Sequence, residues 1–105
     1  MNKSYNPKIV TAFFAEQGIS EPQFELQFHP LRRWKFDLSW PGYMLAIEVQ
    51  GGIWSRGRHN RGAAMLKEWE KLNEAATMGW RILYCQPSSL CMVDFAKTIK
   101  KALNF

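Results

Sequence analysis

Alternating apolar and polar residues predict two neighbouring β-strands in the middle of the chain. From 34 to 40 every second residue is apolar, the pattern of a strand with one apolar face: Trp34, Phe36, Leu38 and Trp40. From 43 to 50 the chain is almost continuously apolar until Glu48, as in a central strand that is buried on both faces. Pro41 and Gly42 suit the central positions of a type II turn, so the two strands are predicted to form a hairpin.

The rest of the pattern predicts three helices and two further strands. Asn6 can cap a helix that begins at Pro7 and ends before Gly18, and further helices are predicted over 63–78 and from Ser88 or Ser89 to about Leu103. Their predicted core-facing residues are, helix by helix, Ile9, Val10, Phe13 and Phe14; Met65, Trp69, Leu72 and Ala76; and Met92, Phe95, Ala96, Ile99 and Leu103. With strands at 24–28 and 80–85, the order is α-β-β-β-α-β-α. This order predicts an α/β fold with a mixed four-stranded sheet flanked by helices, the fourth strand parallel to the third.

The predicted hairpin brings two acidic residues together. A tight turn would place residue 40 opposite 43, so that Asp37 and Glu48 become diagonal neighbours on one face, roughly 7–8 Å apart at the backbone, with Gln50 beside them. Two carboxylates about 4 Å apart would repel by ~4 kcal/mol at an effective dielectric near 20, and Mg²⁺ is the cation that suits such oxygen ligands best. The same register also allows a cross-strand ion pair between Glu48 and Lys35. The spacing alone leaves both interpretations open.

Several short segments, taken in order, resemble a known family. They are Glu25-Leu26-Gln27-Phe28-His29-Pro30, Arg33-Trp34-Lys35-Phe36-Asp37, Ile47-Glu48-Val49-Gln50-Gly51-Gly52, Gly57-Arg58-His59-Asn60-Arg61-Gly62 and Glu70-Lys71-Leu72-Asn73. The series spans about residues 24 to 86 and resembles small phage and bacterial proteins of the PD-(D/E)XK nuclease superfamily, related to the VRR-NUC and Holliday-junction-resolvase types. Two positions differ from that motif, because Phe36 replaces its proline and Gln50 replaces its lysine.

The resemblance implies a restriction-endonuclease-like core and a metal-dependent DNA endonuclease that hydrolyses phosphodiester bonds. The expected setting is phage or bacterial DNA recombination, repair or processing. Asp37, Glu48 and the Val49 carbonyl would hold Mg²⁺ or Mn²⁺, which polarises the phosphate and lowers the pKa of a bound water. Gln50 would orient that water or a phosphate oxygen, although an amide cannot supply the charge of lysine.

The resemblance also suggests substitutes for the missing groups. Lys71, which stands near Lys67 and Glu68 on the long predicted helix, is a candidate for the role of the strand lysine; otherwise these three charges form a solvated helix face. Glu25 matches the family pattern and Glu16 does not, so Glu25 is the preferred third acidic group. Either glutamate could equally be a surface carboxylate.

Charge favours a polyanionic partner. The chain has 14 basic and 9 acidic residues, a net charge of +5, and its stretch from 51 to 62 is rich in glycine and contains no acidic residue. The residues predicted to contact DNA phosphates are Arg33, Lys35, Arg56, Arg58, His59 and Arg61. A solvated surface loop is the alternative for this stretch. The alternative functions are a non-catalytic DNA-binding module with a nuclease-like fold and a subunit whose exposed tryptophans bind a protein.

Composition predicts one compact domain over 1–105, and the resemblance implies that this domain is nuclease-like. At 105 residues the core is small, so we expect a homo-oligomer, a dimer before larger assemblies. The chain shows no apolar run of ~18 residues and no signal-peptide pattern, which predicts a cytoplasmic protein without a membrane span. The resemblance implies that the cell is bacterial or phage-infected. Cys85 and Cys91 are expected to be reduced. No zinc site or small-molecule cofactor is predicted, because the two histidines are not at metal-ligand spacing.

Overall fold

A computed structural model describes residues 5–51 and 58–104, and of residues 58–61 it describes the backbone only. The element bounds, in chain order, are α1 Pro7–Glu16, β1 Gln23–Gln27, β2 Lys35–Trp40, β3 Leu45–Val49, α2 Arg58–Thr77, β4 Arg81–Cys85 and α3 Val93–Leu103, with 3-10 helices at Pro41–Tyr43 and Pro87–Ser89. The N-cap prediction is confirmed, since Asn6 Oδ1 accepts a hydrogen bond of 2.9 Å from the Lys8 N–H.

The four strands form one mixed sheet in the order β1-β2-β3-β4. β1, β2 and β3 are antiparallel neighbours, and β4 lies parallel to β3 after the α2 crossover. The predicted α/β class and mixed four-stranded sheet flanked by helices are therefore confirmed. β3 is an interior strand, and its run of buried residues follows from the packing of helices on both faces of the sheet.

Each face of the sheet carries its own core. On one face α1 and α3 pack against the sheet, and the buried residues of this first cluster are Val10, Phe14, Ile19, Leu38, Trp40, Leu45, Ile47, Leu90, Ala96 and Ile99. On the other face α2 packs through Ala75 against Phe36 and Ala46, with Trp80 and Ile82 partly buried around them. The second cluster is smaller and leaves room under α2 for polar groups.

The apolar residues of β1 and β2 change from one face of the sheet to the other at one point along these strands. Phe24 and its partner Leu38 belong to the first cluster, whereas Leu26 and its partner Phe36 belong to the second. The prediction that Phe36 shares a face with Leu38 is therefore wrong. Glu25, between the two pairs, has a φ of 58°, a left-handed conformation that turns the strand over.

The predicted Pro-Gly turn is also wrong. Residues Pro41–Tyr43 form a 3-10 helix and Met44 has a φ of 49°, so the connection is longer than two residues. Leu38 pairs with Ile47 and Trp40 pairs with Leu45, which shifts the register by two residues from the predicted one. Because side chains alternate with a period of two, this even shift leaves each residue of β3 on its predicted face.

The helices differ from prediction in their bounds and their exposed residues. α2 begins at Arg58 and not at 63, and α3 begins at Val93, after a 3-10 helix that occupies the predicted start. Four residues predicted to face the core are exposed instead, namely Ile9, Trp69, Ala76 and Met92. Among the described side chains of α2, Ala75 is the fully buried one, so the helix is rotated relative to its apolar stripe.

Two further sequence expectations concern the thiols and the membrane. Cys85 in β4 and Cys91 are free, and burial raises the pKa of the Cys85 thiol to about 12. Of the helices that the structure describes, none has the length and apolarity that crossing a bilayer needs.

Candidate active site

Asp37 of β2 and Glu48 of β3 lie directly across from each other. Continuing the register one pair beyond Leu38 and Ile47 places them opposite, which is closer than the diagonal arrangement predicted from the turn. Both residues are buried, with 8% of Asp37 and 3% of Glu48 exposed. Two carboxylates thus enter the protein interior side by side at one end of the sheet.

These carboxylates take the place of backbone ladder bonds. The Asp37 N–H donates to Glu48 Oε2 at 3.2 Å, and the Val49 N–H donates to Asp37 Oδ2 at 2.7 Å. In a regular ladder the N–H and C=O of one residue point toward the same neighbouring strand. By this pattern the Val49 carbonyl would point toward β2, the side on which its N–H meets Asp37.

The cation of the site comes from α2. Lys71 Nζ lies 2.5 Å from Glu48 Oε1, and the lysine side chain is largely buried. The alternative ion pair of Glu48 with Lys35 is not formed, because Lys35 is exposed and pairs with Gln27 of the neighbouring strand β1. The Lys71 ammonium also lies 5.9 Å from the Phe36 ring centroid. The phase change of β2 at Asp37 therefore places an aromatic ring beside the lysine.

Gln50 is held by α2 as well. Its Nε2 donates to Glu68 Oε2 at 3.1 Å, one helical turn before Lys71. The structure thus brings Gln50 and Lys71 onto the same face as Glu48, together with Glu68, whose part in the site the sequence left open. The rotation of α2 makes this possible, since it turns Glu68 and Lys71 toward the sheet and Trp69 outward.

The site carries more negative than positive charge. Burial raises the pKa of Glu48 to about 7, Lys71 counteracts the rise, and Asp37 and Glu68 add to it. Counted as formal charges, Asp37, Glu48 and Glu68 carry three negative charges and Lys71 carries one positive charge, which leaves an excess of two negative charges. A divalent cation would balance that excess.

The donor set fits Mg²⁺ or Mn²⁺. Two carboxylates and a backbone carbonyl are hard oxygen donors, and Mg²⁺ is commonly held by one or two carboxylates while it keeps several waters. Within the described part of the chain no group of three His, Cys, Asp or Glu side chains is arranged as a metal cluster. The remaining positions around such an ion would therefore belong to water and substrate oxygens.

The two candidates for a third acidic group lie in different places. Glu25 stands between the pairs that flank Asp37, so the register places it opposite Asp37 on β1, with an exposed side chain. Glu16 is the exposed last residue of α1. Glu25 is therefore the better placed of the two, at the outer side of the carboxylate pair.

The predicted DNA contacts are placed only in part. Arg33 and Lys35 are exposed, at the start of β2. Arg56 lies outside the described residues, and so do the side chains of Arg58, His59 and Arg61. The backbone of these last three residues forms the beginning of α2, so they are helical and do not belong to the predicted loop.

Two tyrosines near the carboxylates were not predicted from the sequence. Tyr84 stands opposite Glu48 on the parallel strand β4, and burial, Glu48 and Glu68 raise its pKa. Tyr5 packs against Phe24, and burial followed by Asp37 and Glu25 raises its pKa. The alternation of Ile82 and Tyr84 in a strand parallel to β3 could have indicated Tyr84, because it predicts that Tyr84 shares the face of Glu48. No comparable pattern indicates Tyr5.

Comparison with known proteins shows no matching family model, no matching curated protein and no matching solved structure.

Proposed function

We propose that this protein is a metal-dependent endonuclease that hydrolyses phosphodiester bonds in DNA, built on a restriction-endonuclease-like PD-(D/E)XK core. The observation that carries the proposal is the buried pair Asp37 and Glu48, with Lys71 on Glu48 and the Val49 N–H on Asp37. Burial of two carboxylates costs several kcal/mol per ion unless charge and hydrogen bonds compensate it. Binding of a cation and a phosphate would explain why the protein keeps two buried carboxylates despite this cost.

The topology supports the proposal. The element order α-β-β-β-α-β-α and the parallel pairing of β3 with β4 agree with the order that the sequence motifs imply. The site lies at the carboxyl ends of β3 and β4, the location where open α/β sheets commonly bind ligands. A fold alone does not define a function, so the proposal depends on the charged groups of the site.

Each residue would have a distinct role. Asp37, Glu48 and the Val49 carbonyl would hold the metal, which supplies a polarised phosphate and an activated water when bound. Lys71 would place its ammonium near the non-bridging oxygens of the scissile phosphate and stabilise the charge that develops there. Gln50, fixed by Glu68, would orient the attacking water by hydrogen bonding.

The basic residues would position the nucleic acid. Arg33 and Lys35 are exposed at the start of β2, next to Asp37. The first turn of α2, which contains Arg58 and Arg61, begins ten residues before Glu68, and this distance is about 15 Å along a helix axis. Contacts at such distances reach phosphates that flank the scissile one, and they set position without sequence preference.

Cleavage assays of acid-to-amide variants test the proposal. With Mg²⁺ and a panel of linear, nicked, flapped and branched DNAs, we expect Asp37→Asn and Glu48→Gln to lose at least ~100-fold in rate, because each removes a ligand charge. DNA affinity should stay the same or rise, since negative charge is removed. Asp94→Asn, an exposed carboxylate in the first turn of α3, is the matched control and should cleave normally. Normal rates in either site variant would refute the proposal.

One observation favours a second candidate, a non-catalytic DNA-binding module. Glu48 Oε1, Glu48 Oε2 and Asp37 Oδ2 each already accept a hydrogen bond from a protein donor. In such a module the carboxylates would be purely structural and would not bind Mg²⁺. Calorimetric titration with Mg²⁺ separates the two: wild-type binding that Asp37→Asn abolishes supports the enzyme, and absence of binding supports the module.

A further inference from the structure

Tyr84 forms the outer border of the candidate active site. It pairs in register with Glu48 across β3 and β4, so its side chain rises on the same face as the carboxylate. β4 is an edge strand, and 51% of Tyr84 is exposed to solvent. An aromatic ring therefore stands at the rim of the site on the side opposite β2 and Asp37.

Trp69 is an exposed ring on the side of α2 away from the β1–β2 connection. Glu70 and Glu74 of α2 contact Arg32 and His29, which places their flank of the helix toward the β1–β2 connection. At 100° per residue, Trp69 lies on the opposite flank, toward β4. It is 53% exposed. Within the part of the chain that the structure describes, neither the Trp69 ring nor the Tyr84 ring stacks on another aromatic ring.

The charge of this border selects what can bind there. Glu48 stands opposite Tyr84 on the neighbouring strand, and Glu68 of α2 holds Gln50, two residues after Glu48. A phosphate would be repelled by these two carboxylates. A nucleobase is neutral and flat, and it stacks on exposed aromatic rings regardless of its sequence identity.

We propose that Tyr84 and Trp69 form a stacking surface for unpaired nucleobases beside the scissile phosphate. The proposal rests on the function proposed above and names the substrate class: DNA with at least one unpaired nucleotide at the site, as in a single strand, flap or branch. In a blunt duplex both rings would meet bases that are already paired and stacked, so the surface would contribute little. The surface is thus expected to select DNA by its secondary structure and not by its base sequence.

Binding of labelled oligonucleotides, followed by fluorescence anisotropy in EDTA, tests the proposal without cleavage. Tyr84→Ala and Trp69→Ala should each weaken binding of a fluorescein-labelled single strand by about tenfold or more, and should leave a blunt duplex nearly unaffected. Tyr84→Phe keeps the ring and should bind like wild type. Tyr84→Leu keeps apolar volume without a ring and should behave like Tyr84→Ala.

Tyr43→Ala is the matched control. Tyr43 is also 51% exposed but stands in the 3-10 helix between β2 and β3, at the end of the sheet away from the carboxylates. Its variant should bind both DNAs like wild type. Circular dichroism checks that every variant is folded.

The possible outcomes separate this inference from the proposed function. If wild type binds and cleaves DNA but the Tyr84 and Trp69 variants behave like Tyr43→Ala, the stacking surface is refuted and the nuclease stands. Equal losses on single strand and duplex would also refute it, because they indicate a contact with the backbone. If sedimentation shows that Tyr84→Ala or Trp69→Ala converts an oligomer to a monomer without a change in DNA affinity, the surface joins two copies and the inference is wrong. If wild type binds neither DNA, both proposals fail.

Discussion

The raised pKa of Glu48 predicts a specific pH dependence of stability. Burial raises this pKa from 4.5 to about 7. Between these two pH values the folded protein therefore holds a proton that the unfolded chain has lost. The proton contributes stability that is fully present below pH 4.5 and is lost as the pH rises through about 7. Glu48→Gln mimics the protonated side chain at every pH, and it therefore removes this dependence.

The size of the effect follows from linkage. A carboxyl whose pKa rises from 4.5 to about 7 on folding changes the free energy of unfolding by roughly 3 kcal/mol over that range, since each pH unit corresponds to about 1.4 kcal/mol. Wild type and Glu48→Gln should thus diverge by roughly this amount between pH 4 and pH 8, with the variant relatively more stable at high pH. Mg²⁺ should oppose the divergence, because it binds the ionised carboxylate; at a hundredfold excess over its Kd it stabilises by about 2.7 kcal/mol.

Urea unfolding at a series of pH values measures this difference. Glu16→Gln is the control, because it makes the same substitution at an exposed residue at the end of α1, and its curve should run parallel to that of wild type. Repeating the series with Mg²⁺ should raise the wild-type values at pH 8 and leave Glu48→Gln nearly unchanged. Parallel curves for wild type and Glu48→Gln from pH 4 to pH 8 would contradict the reasoning about burial.

Two other predictions concern Lys71 and Gly51. Lys71→Ala should reduce Mg²⁺-dependent cleavage by ~100-fold or more, as removal of one transition-state donor does, whereas the exposed Lys67→Ala should cleave normally in the same assay. A Cβ at Gly51 would lie 2.5 Å from Pro87 Cδ, so Gly51→Ala should lower the free energy of unfolding in urea by about 1–3 kcal/mol. Gly62→Ala, in a helix with open space around it, should be neutral or stabilising by about 0.5–1 kcal/mol, and equal effects of the two glycine variants would contradict the packing argument.

The strands and the carboxylate pair could be predicted because their signal is local. The period of two in β2 and the apolar run in β3 survive an error in the turn, and the register error was two residues. An odd error would have moved Asp37 and Glu48 to opposite faces. The prediction that Asp37 and Glu48 share a face therefore did not depend on the turn geometry. The predicted separation between the two residues did depend on it.

The phase change of β1 and β2 could not be predicted from the pattern. Glu25 adopts a left-handed conformation without being glycine, and nothing in the sequence marks that residue as different from its neighbours. Such a conformation costs about 1–3 kcal/mol and persists only where the surrounding structure enforces it. On the neighbouring strand Phe36 lies under α2, with its ring centroid 5.9 Å from Lys71 Nζ.

The orientation of α2 is the clearest case in which the apolar pattern and the observed packing disagree. The apolar residues Met65, Trp69, Leu72 and Ala76 define a stripe about 90° around the helix from the side that faces the sheet, at 100° per residue. Had that stripe been buried, Lys71 would point to solvent. The helix instead exposes Trp69 and places Glu68 and Lys71 over Gln50 and Glu48. Sequences that depart from the locally favoured arrangement generally do so at functional sites, because stability alone would not select it. The rotation of α2 is thus a reason, independent of any sequence motif, to expect chemistry at Glu48 and Lys71.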